Sequence, residues 1–209
     1  AKEPDKLTAW KGSGLPGQYG IGVFGRVRPD KGTDVYVDAM LQALPHLPGV
    51  TAVVAGLAQP QHQAFEKTLR DKIANADMSD RIVFLGEVPA KDVHFWYQRC
   101  LLCVACPRYE PFGLTPFEAA ATGCALICSR TGAFEQLVQP GVNGELVPTG
   151  DSASLADAVL RVMSDVEAAK QMGERARERV VQGFSLQAEA AGIGRVYQSL
   201  FDGKKPELA

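Results

Sequence analysis

The 209-residue chain contains no apolar run approaching the ~18 residues that a membrane-spanning helix requires. Nor is a signal peptide expected from Ala1-Lys2-Glu3-Pro4-Asp5-Lys6, which is charged where an apolar core is needed. Charge of one sign is equally scarce. Lys and Arg number 22 and Asp and Glu 24, for a formal net charge of −2, and the few aromatics are not interleaved with basic clusters. Nucleic-acid binding by phosphate neutralisation is thereby excluded. Histidine is rare: His46 and His62 fall in polar, loop-like contexts, and His94 precedes Phe95-Trp96-Tyr97 on a helix expected to pack. No metal site is expected from them. Cysteine is too sparse for a disulfide framework. There are five, and four lie in strongly apolar segments, as expected of buried free thiols in a reducing compartment. The expected location is cytoplasmic.

Cys100, Cys103 and Cys106 form a Cys-x-x-Cys-x-x-Cys run with a spacing known from zinc and iron–sulfur sites. Leu101 to Cys106 is, however, a short apolar run ending at Pro107, the pattern of a buried strand. In a regular strand a spacing of three sends alternate cysteines to opposite faces, where they cannot share a metal.

With 46% apolar and 22% charged residues, the chain has ordinary globular composition, and its length suits one hydrophobic core. From Gly20 onward, short apolar runs alternate with helix-period segments. The runs are 21–24, 51–55, 82–85, 101–106, 125–129 and 144–147, and the amphipathic segments between them include 33–44, 62–76, 92–99 and 116–122. Continuous rather than alternating apolar strands are those buried on both faces. The expected fold is therefore α/β, a doubly wound, mostly parallel sheet of about six strands with helices on both faces. Ligands of such sheets bind outside the carboxyl ends of the strands, which directs attention to the loops after Phe24, Leu85, Cys106 and Ser129. The last sixty residues read as helical. One apolar stripe is Leu155, Val159, Val162 and Met163; another is Leu186, Ala190, Ile193, Tyr197 and Leu200, with Ser185 as N-cap. Residues 1–19, rich in Gly and Pro, have linker composition. The expected division is a connecting segment at 1–19, a domain at 20–202 and a tail at 203–209.

Gly20-Ile21-Gly22-Val23-Phe24-Gly25 matches the Gly-x-Gly-x-x-Gly dinucleotide fingerprint in letters only. In that fingerprint the glycines follow the strand and open the helix; here the residues between them are the strand, and the helix begins near Thr33. No acidic residue lies near position 45 to hold a ribose.

Two segments carry chemical promise. Gly25-Arg26-Val27-Arg28-Pro29-Asp30-Lys31-Gly32 places three cations within six residues just past a strand. Arg presents a planar fork to phosphate oxygens and Lys a mobile point charge. A solvated surface turn explains the same residues equally well. The second segment, Pro107 to Glu118, sets Glu110 and Glu118 eight positions apart around a turn that leads into a helix. Free amides of Gly113, Leu114 and Thr115 are suited to an anion such as a diphosphate. Thr115-Pro116-Phe117-Glu118 is also a capping box, and on local sequence alone the cap is the better reading of Glu118. Glu110 could be a surface carboxylate paired with Arg108 or another nearby cation, but its position in a Gly/Pro turn at a strand end makes a functional role the better reading.

Together these segments resemble the donor domain of the large retaining glycosyltransferase family of GT-B type, over about residues 20–201. The resemblance rests on Gly25-Arg26 with Lys31-Gly32, Phe84-Leu85-Gly86-Glu87-Val88, the Glu110-x7-Glu118 motif, Gly123 before Ala125-Leu126-Ile127, Thr131-Gly132 followed by Glu135, and Gly141-Val142-Asn143-Gly144. The resemblance implies that this is the Rossmann-like nucleotide-sugar-binding half of such an enzyme. It further implies that Arg26 and Lys31 neutralise the donor diphosphate, that Glu118 holds the ribose, and that Glu110 faces the transferred sugar. Phe112, Gly113, Leu114 and Thr115 would line the sugar and phosphate pocket, and Glu87 and Val88 would lie beside the base. Gly56-Leu57-Ala58 and Gly132-Ala133 depart from the family, where a second glycine is frequent at each place.

The reaction so implied is hexosyl transfer with retention from a nucleoside diphosphate sugar, GDP-mannose being the first expectation, to a glycan or lipopolysaccharide acceptor. No cofactor or metal is expected. An N-terminal acceptor domain is the implied partner, and the whole enzyme would be cytoplasmic, with room for peripheral association at the inner face of the membrane. The competing readings are a nucleotide-sugar epimerase, for which no separate acid and base are visible, and a non-catalytic nucleotide-binding module, against which the intact Arg26, Lys31, Glu110 and Glu118 set argues.

Overall fold

Each apolar run becomes a strand: β1 (Tyr19–Phe24), β2 (Val50–Ala55), β3 (Ile82–Gly86), β4 (Cys100–Ala105), β5 (Ala125–Ser129) and β6 (Gly144–Val147). β2, β4 and β5 are buried along their whole length, which is why their sequences are continuously apolar. In the computed structural model, which describes residues 5–203, all six are parallel in the order β3-β2-β1-β4-β5-β6. The doubly wound sheet expected from the sequence is thus borne out. The winding reverses between β1 and β4, so the loops leaving those two adjacent strands diverge and open a crevice at their carboxyl ends.

One face of the sheet is covered by α2 (Thr33–Ala43), α3 (Gln63–Asn75) and α7 (Ser152–Met163), whose apolar residues form one core layer with Ile21, Val104 and Ile127. The other carries α4 (Ala90–Arg99), α5 (Thr115–Ala121), α6 (Phe134–Leu137) and much of α8 (Val166–Gly183), around Cys103, Leu126 and Cys128. Leu155, Val159, Val162 and Met163 are all buried, as their spacing predicts.

Part of the segment with linker composition is helical. α1 (Lys6–Lys11) starts at Asp5, whose carboxylate accepts the Leu7 N–H at 3.2 Å, and it buries Trp10 completely. The Trp10 indole donates to the Pro16 carbonyl at 3.0 Å. Its ring occupies the space left by Gly20, where a Cβ would lie 2.0 Å from the ring. The first glycine of the false dinucleotide pattern therefore makes room for a tryptophan, and it sits inside β1. Averaged composition hides such a helix because one residue carries its burial. Residues 1–4, and the expected tail apart from Gly203, lie outside the described residues.

The cysteines are buried free thiols. A register shift between β1 and β4 pairs Gly20 with Cys100 but Ile21 with Leu102. The bulge turns Cys100 to the same core layer as Cys103, leaving Cys106 on the other. Strict alternation across the run is corrected to that extent.

α9 (Leu186–Phe201) begins at Ser185, which accepts the Ala188 N–H at 3.2 Å as expected of an N-cap. Its apolar stripe does not face the core: Leu186, Ile193, Tyr197 and Leu200 are between 51% and 79% exposed. Periodicity identified the helix and its stripe but carried no information about what the stripe packs on. No helix among the described residues is long and apolar enough to cross a membrane.

Candidate functional site

The loop from β1 to α2 is fastened to the loop after β2. Gly25 donates to Ala55 at 2.9 Å and the buried Val27 to Leu57 at 3.0 Å, which leaves the exposed Arg26 between these anchors. The Arg26 guanidinium has no ion pair or hydrogen bond among the described residues. Arg28 instead pairs with Asp30 at 3.0 Å. Lys31 closes a short 3-10 turn ending at Gly32, whose φ of +71° places it in the left-handed region. A Cβ on Gly32 would stand 1.9 Å from the Cys106 carbonyl oxygen, so only glycine lets this loop lie against the end of β4.

The loop after β4 returns the contact. The Arg108 N–H donates to the Asp30 carbonyl at 2.8 Å, and its guanidinium grips the Asp34 carboxylate with bonds of 2.8 and 2.7 Å. Burial alone would raise the Asp34 carboxyl, but the hydrogen bonds and charge of Arg108 outweigh it and hold that group below the usual carboxylate value. With Arg108 engaged on Asp34, Glu110 pairs with Lys31, and both side chains are largely shielded. The Glu110 N–H also approaches Thr131 Oγ1 at 3.3 Å, while Ser129 donates to Pro107 at 2.8 Å. Residues 79 positions apart in the sequence thus meet at the switch point.

Two adjoining concavities result. One, of about 570 Å³, is lined by Gly25, Arg26, Lys31, Glu110, Gly113 and Thr115 among others. The second, of about 940 Å³, is walled by Gly56, Leu57, Gln59, Glu87, Val88 and Tyr97. They share Phe24, Gly25, Arg26 and Thr115, so Arg26 stands at their junction.

Most residues singled out from the sequence come together here. Gly25, Arg26, Lys31, Glu110, Gly113 and Thr115 line the first concavity; Glu87 and Val88 line the second. Phe112, Leu114 and Glu118 line neither; Phe112 and Leu114 are 52% and 61% exposed, and the Phe112 ring stacks on Phe117 at 5.2 Å. Glu118 does not complete a capping box. The N-cap of α5 is Leu114, with no side-chain capping bond, and Glu118 instead accepts the Tyr97 hydroxyl at 3.0 Å. α5 has only seven residues, so individual amides count for more than a summed dipole. Of the Phe95-Trp96-Tyr97 run only Tyr97 is buried, and His94 is exposed. Asn143 of the Gly-rich loop is a structural clip: its Oδ1 accepts the Gln139 N–H at 2.6 Å and its Nδ2 donates to Leu137 at 3.0 Å.

Sequence reasoning missed Phe24, Leu57, Gln59 and Tyr97 as site walls. Phe24 was legible as the last residue of a strand at the switch point. Leu57 was noted only as a departure from glycine, and Tyr97 looked like one more packed aromatic.

The reversal of strand order, with a cationic loop on one side and a carboxylate-bearing turn on the other, defines a ligand-binding Rossmann-like domain of the doubly wound class. Within that class, residues 11–179 match the family model "Glycosyl transferases group 1", and the chain belongs to this family. It is 44% identical over 188 residues to the lipopolysaccharide core biosynthesis mannosyltransferase LpcC of Rhizobium leguminosarum bv. viciae, covering 90% of this chain and 53% of that protein. It is 40% identical to the corresponding LpsB of Rhizobium meliloti, covering 94% and 56%. The chain thus spans about half the length of these curated relatives. Among solved structures, the C-terminal domain of a glycosyl transferase group 1 protein (LpcC) from Francisella tularensis superposes with a TM-score of 0.84 at 31% identity, covering 90% of this chain and 95% of that one. Anabaena Alr3699/HepE, in complex with UDP and glucose, gives 0.81 at 27% identity, covering 93% and 52%.

Proposed function

We propose that this chain is the donor-binding half of a retaining hexosyltransferase that moves mannose from GDP-mannose to a lipopolysaccharide-type acceptor. The observation that carries the reading is the junction of the two concavities at Arg26, between a wall bearing Lys31 and Glu110 and a wall bearing Glu87 and Val88. The two Rhizobium relatives, both mannosyltransferases, support mannose, and the UDP bound by the Anabaena neighbour supports a nucleoside diphosphate.

In this reading the base occupies the larger concavity, the diphosphate crosses Arg26, and the hexose lies towards Glu110. As the anomeric bond breaks, negative charge grows on the diphosphate while the sugar becomes cation-like. Arg26 and Lys31 stabilise the first, and the Glu110 carboxylate stabilises the second. Lys31 is already held at the site by Glu110, so donor arrival exchanges a carboxylate partner for phosphate oxygens without moving the cation far. The two carboxylates serve different parts of the donor, ribose for Glu118 and hexose for Glu110, and are not an acid and base pair acting on one bond. Proton transfer from the acceptor hydroxyl falls to a donor phosphate oxygen on the same face.

The relatives' additional length and the exposed apolar stripe of α9 support a second, acceptor-binding domain that covers this stripe. The chain by itself binds nucleotide and does not transfer sugar. Calorimetric titration with GDP, UDP, ADP and NAD tests the reading. A nucleoside diphosphate is expected to bind tightest, GDP first; tightest binding of NAD, or no nucleotide binding, refutes it.

A further inference from the structure

Tyr97 is a buried side chain that is hydrogen-bonded to an inferred ligand of the donor. It is 3% exposed, its ring leans on Phe24 with centroids 4.4 Å apart, and both rings form part of the larger concavity. Its backbone is equally fixed, since the Tyr97 carbonyl accepts from Lys6 Nζ at 3.4 Å and from Cys124 Sγ at 2.8 Å. From this fixed position the hydroxyl donates to Glu118 Oε2 at 3.0 Å. Glu118 itself is exposed, and its carboxylate has no other hydrogen bond among the described residues.

An exposed glutamate ordinarily samples several rotamers, and a carboxylate has two oxygens with about four acceptor positions. Anchoring Oε2 leaves Oε1 free and fixes its direction. Burial foremost, with Cys103 and the Glu118 carboxylate adding to it, pushes the Tyr97 phenol far above the ordinary tyrosine range. It therefore stays protonated and donates to the Glu118 carboxylate. Tyr97 and Thr115, the first residue of the Glu118 helix, line the same concavity, and Glu118, outside that lining itself, is tied to it through the Tyr97 hydroxyl.

We infer that Tyr97 is a positioning residue for ribose recognition: it holds Glu118 so that one carboxylate oxygen receives the ribose hydroxyls and the site discriminates ribonucleotides from nucleotides lacking them. The inference rests on the reading of Glu118 as the ribose ligand. A site that must reject a ligand lacking a hydroxyl needs its acceptor held in place, because a mobile carboxylate regains water when the hydroxyl is missing.

The test is calorimetric titration of the 209-residue chain with GDP and UDP and with their 2′,3′-dideoxy forms, for the parent, Tyr97→Phe, Glu118→Ala and the double variant. For whichever base binds tighter, Tyr97→Phe is expected to weaken the ribonucleotide about three- to tenfold and leave the dideoxy nucleotide unchanged. Glu118→Ala is expected to abolish the discrimination, and adding Tyr97→Phe to it is expected to change nothing further. Equal weakening of both nucleotides by Tyr97→Phe would mark a merely structural role and overturn the inference. Unchanged discrimination in Tyr97→Phe, alongside its loss in Glu118→Ala, would overturn the inference and leave the ribose reading standing. Discrimination retained in Glu118→Ala would overturn both, as would failure of all four nucleotides to bind.

Discussion

Replacing Glu110 by Gln is expected to tighten binding of a nucleoside diphosphate while impairing use of the sugar it carries. The smaller concavity holds two cations, Arg26 and Lys31, against one carboxylate. Lys31 is paired with that carboxylate, with side chains only 31% and 16% exposed. A diphosphate must displace Glu110 from Lys31 or share the cation with it. Hydrogen bonds to charged groups contribute about 1.5–3 kcal/mol and exposed ion pairs about 0–1 kcal/mol, so this partly shielded pair falls between, at about 1–2 kcal/mol. Gln keeps the shape and removes the competing charge. The recovered energy corresponds to GDP binding about five- to thirtyfold tighter, with the gain shrinking as salt screens the site. For GDP-mannose the gain is expected to be offset, because the carboxylate proposed to face the sugar is lost with it. Titration of parent and Glu110→Gln chains with GDP and GDP-mannose reads both effects. GDP affinity unchanged or weakened in the variant would show that Lys31 does not receive the diphosphate.

In the full-length enzyme, Lys31→Ala and Glu118→Ala are each expected to raise the KM for donor about tenfold or more with unchanged circular dichroism; unaltered kinetics in both would remove the motif assignment. Trp10→Ala empties a fully buried site beside Gly20 and is expected to cost about 3–5 kcal/mol. In a domain of this size that lowers the melting temperature by roughly 6–20 °C, and a shift under about 3 °C would show that α1 is not part of the folded core. Burial pushes the Cys106 thiol from 9.0 up to about 12, and Cys100, Cys103 and Cys128 are raised by burial as well. Their folded values lie above the unfolded ones. The stability they contribute is therefore complete below about pH 9 and is lost as pH rises beyond it. Denaturant midpoints measured from pH 7.5 to 10.5 should fall across that window, and a flat profile would contradict the burial of these thiols.

The strands and the class of fold were legible because β2, β4 and β5 are buried on both faces and therefore carry nothing but apolar residues and Thr51, Cys or Ser129. The two chemically promising loops were legible for a related reason: charged residues clustered at strand ends have no packing role to explain them. Other features depend on distance in space. The pairing of Lys31 with Glu110 and the grip of Arg108 on Asp34 cross from one loop to the other, and local sequence left the partner of Glu110 open. The capping reading of Glu118 followed the local pattern correctly and failed because Tyr97, 21 positions earlier, offers a better partner. α1 was hidden by its polar neighbours. The stripe of α9 was found, but periodicity identifies an apolar face and does not say which surface covers it.

The central claim is that a nucleoside diphosphate lies across Arg26, with its phosphates toward Lys31 and its base beside Glu87 and Val88. The most direct measurement is a crystal structure of the chain with GDP bound. The account predicts diphosphate oxygens within hydrogen-bond reach of Arg26 and Lys31, the Lys31–Glu110 pair opened, and a ribose hydroxyl on Glu118. Phosphates bound elsewhere, for instance against Arg175 and Arg179 of α8, with Lys31 still paired to Glu110, would contradict it.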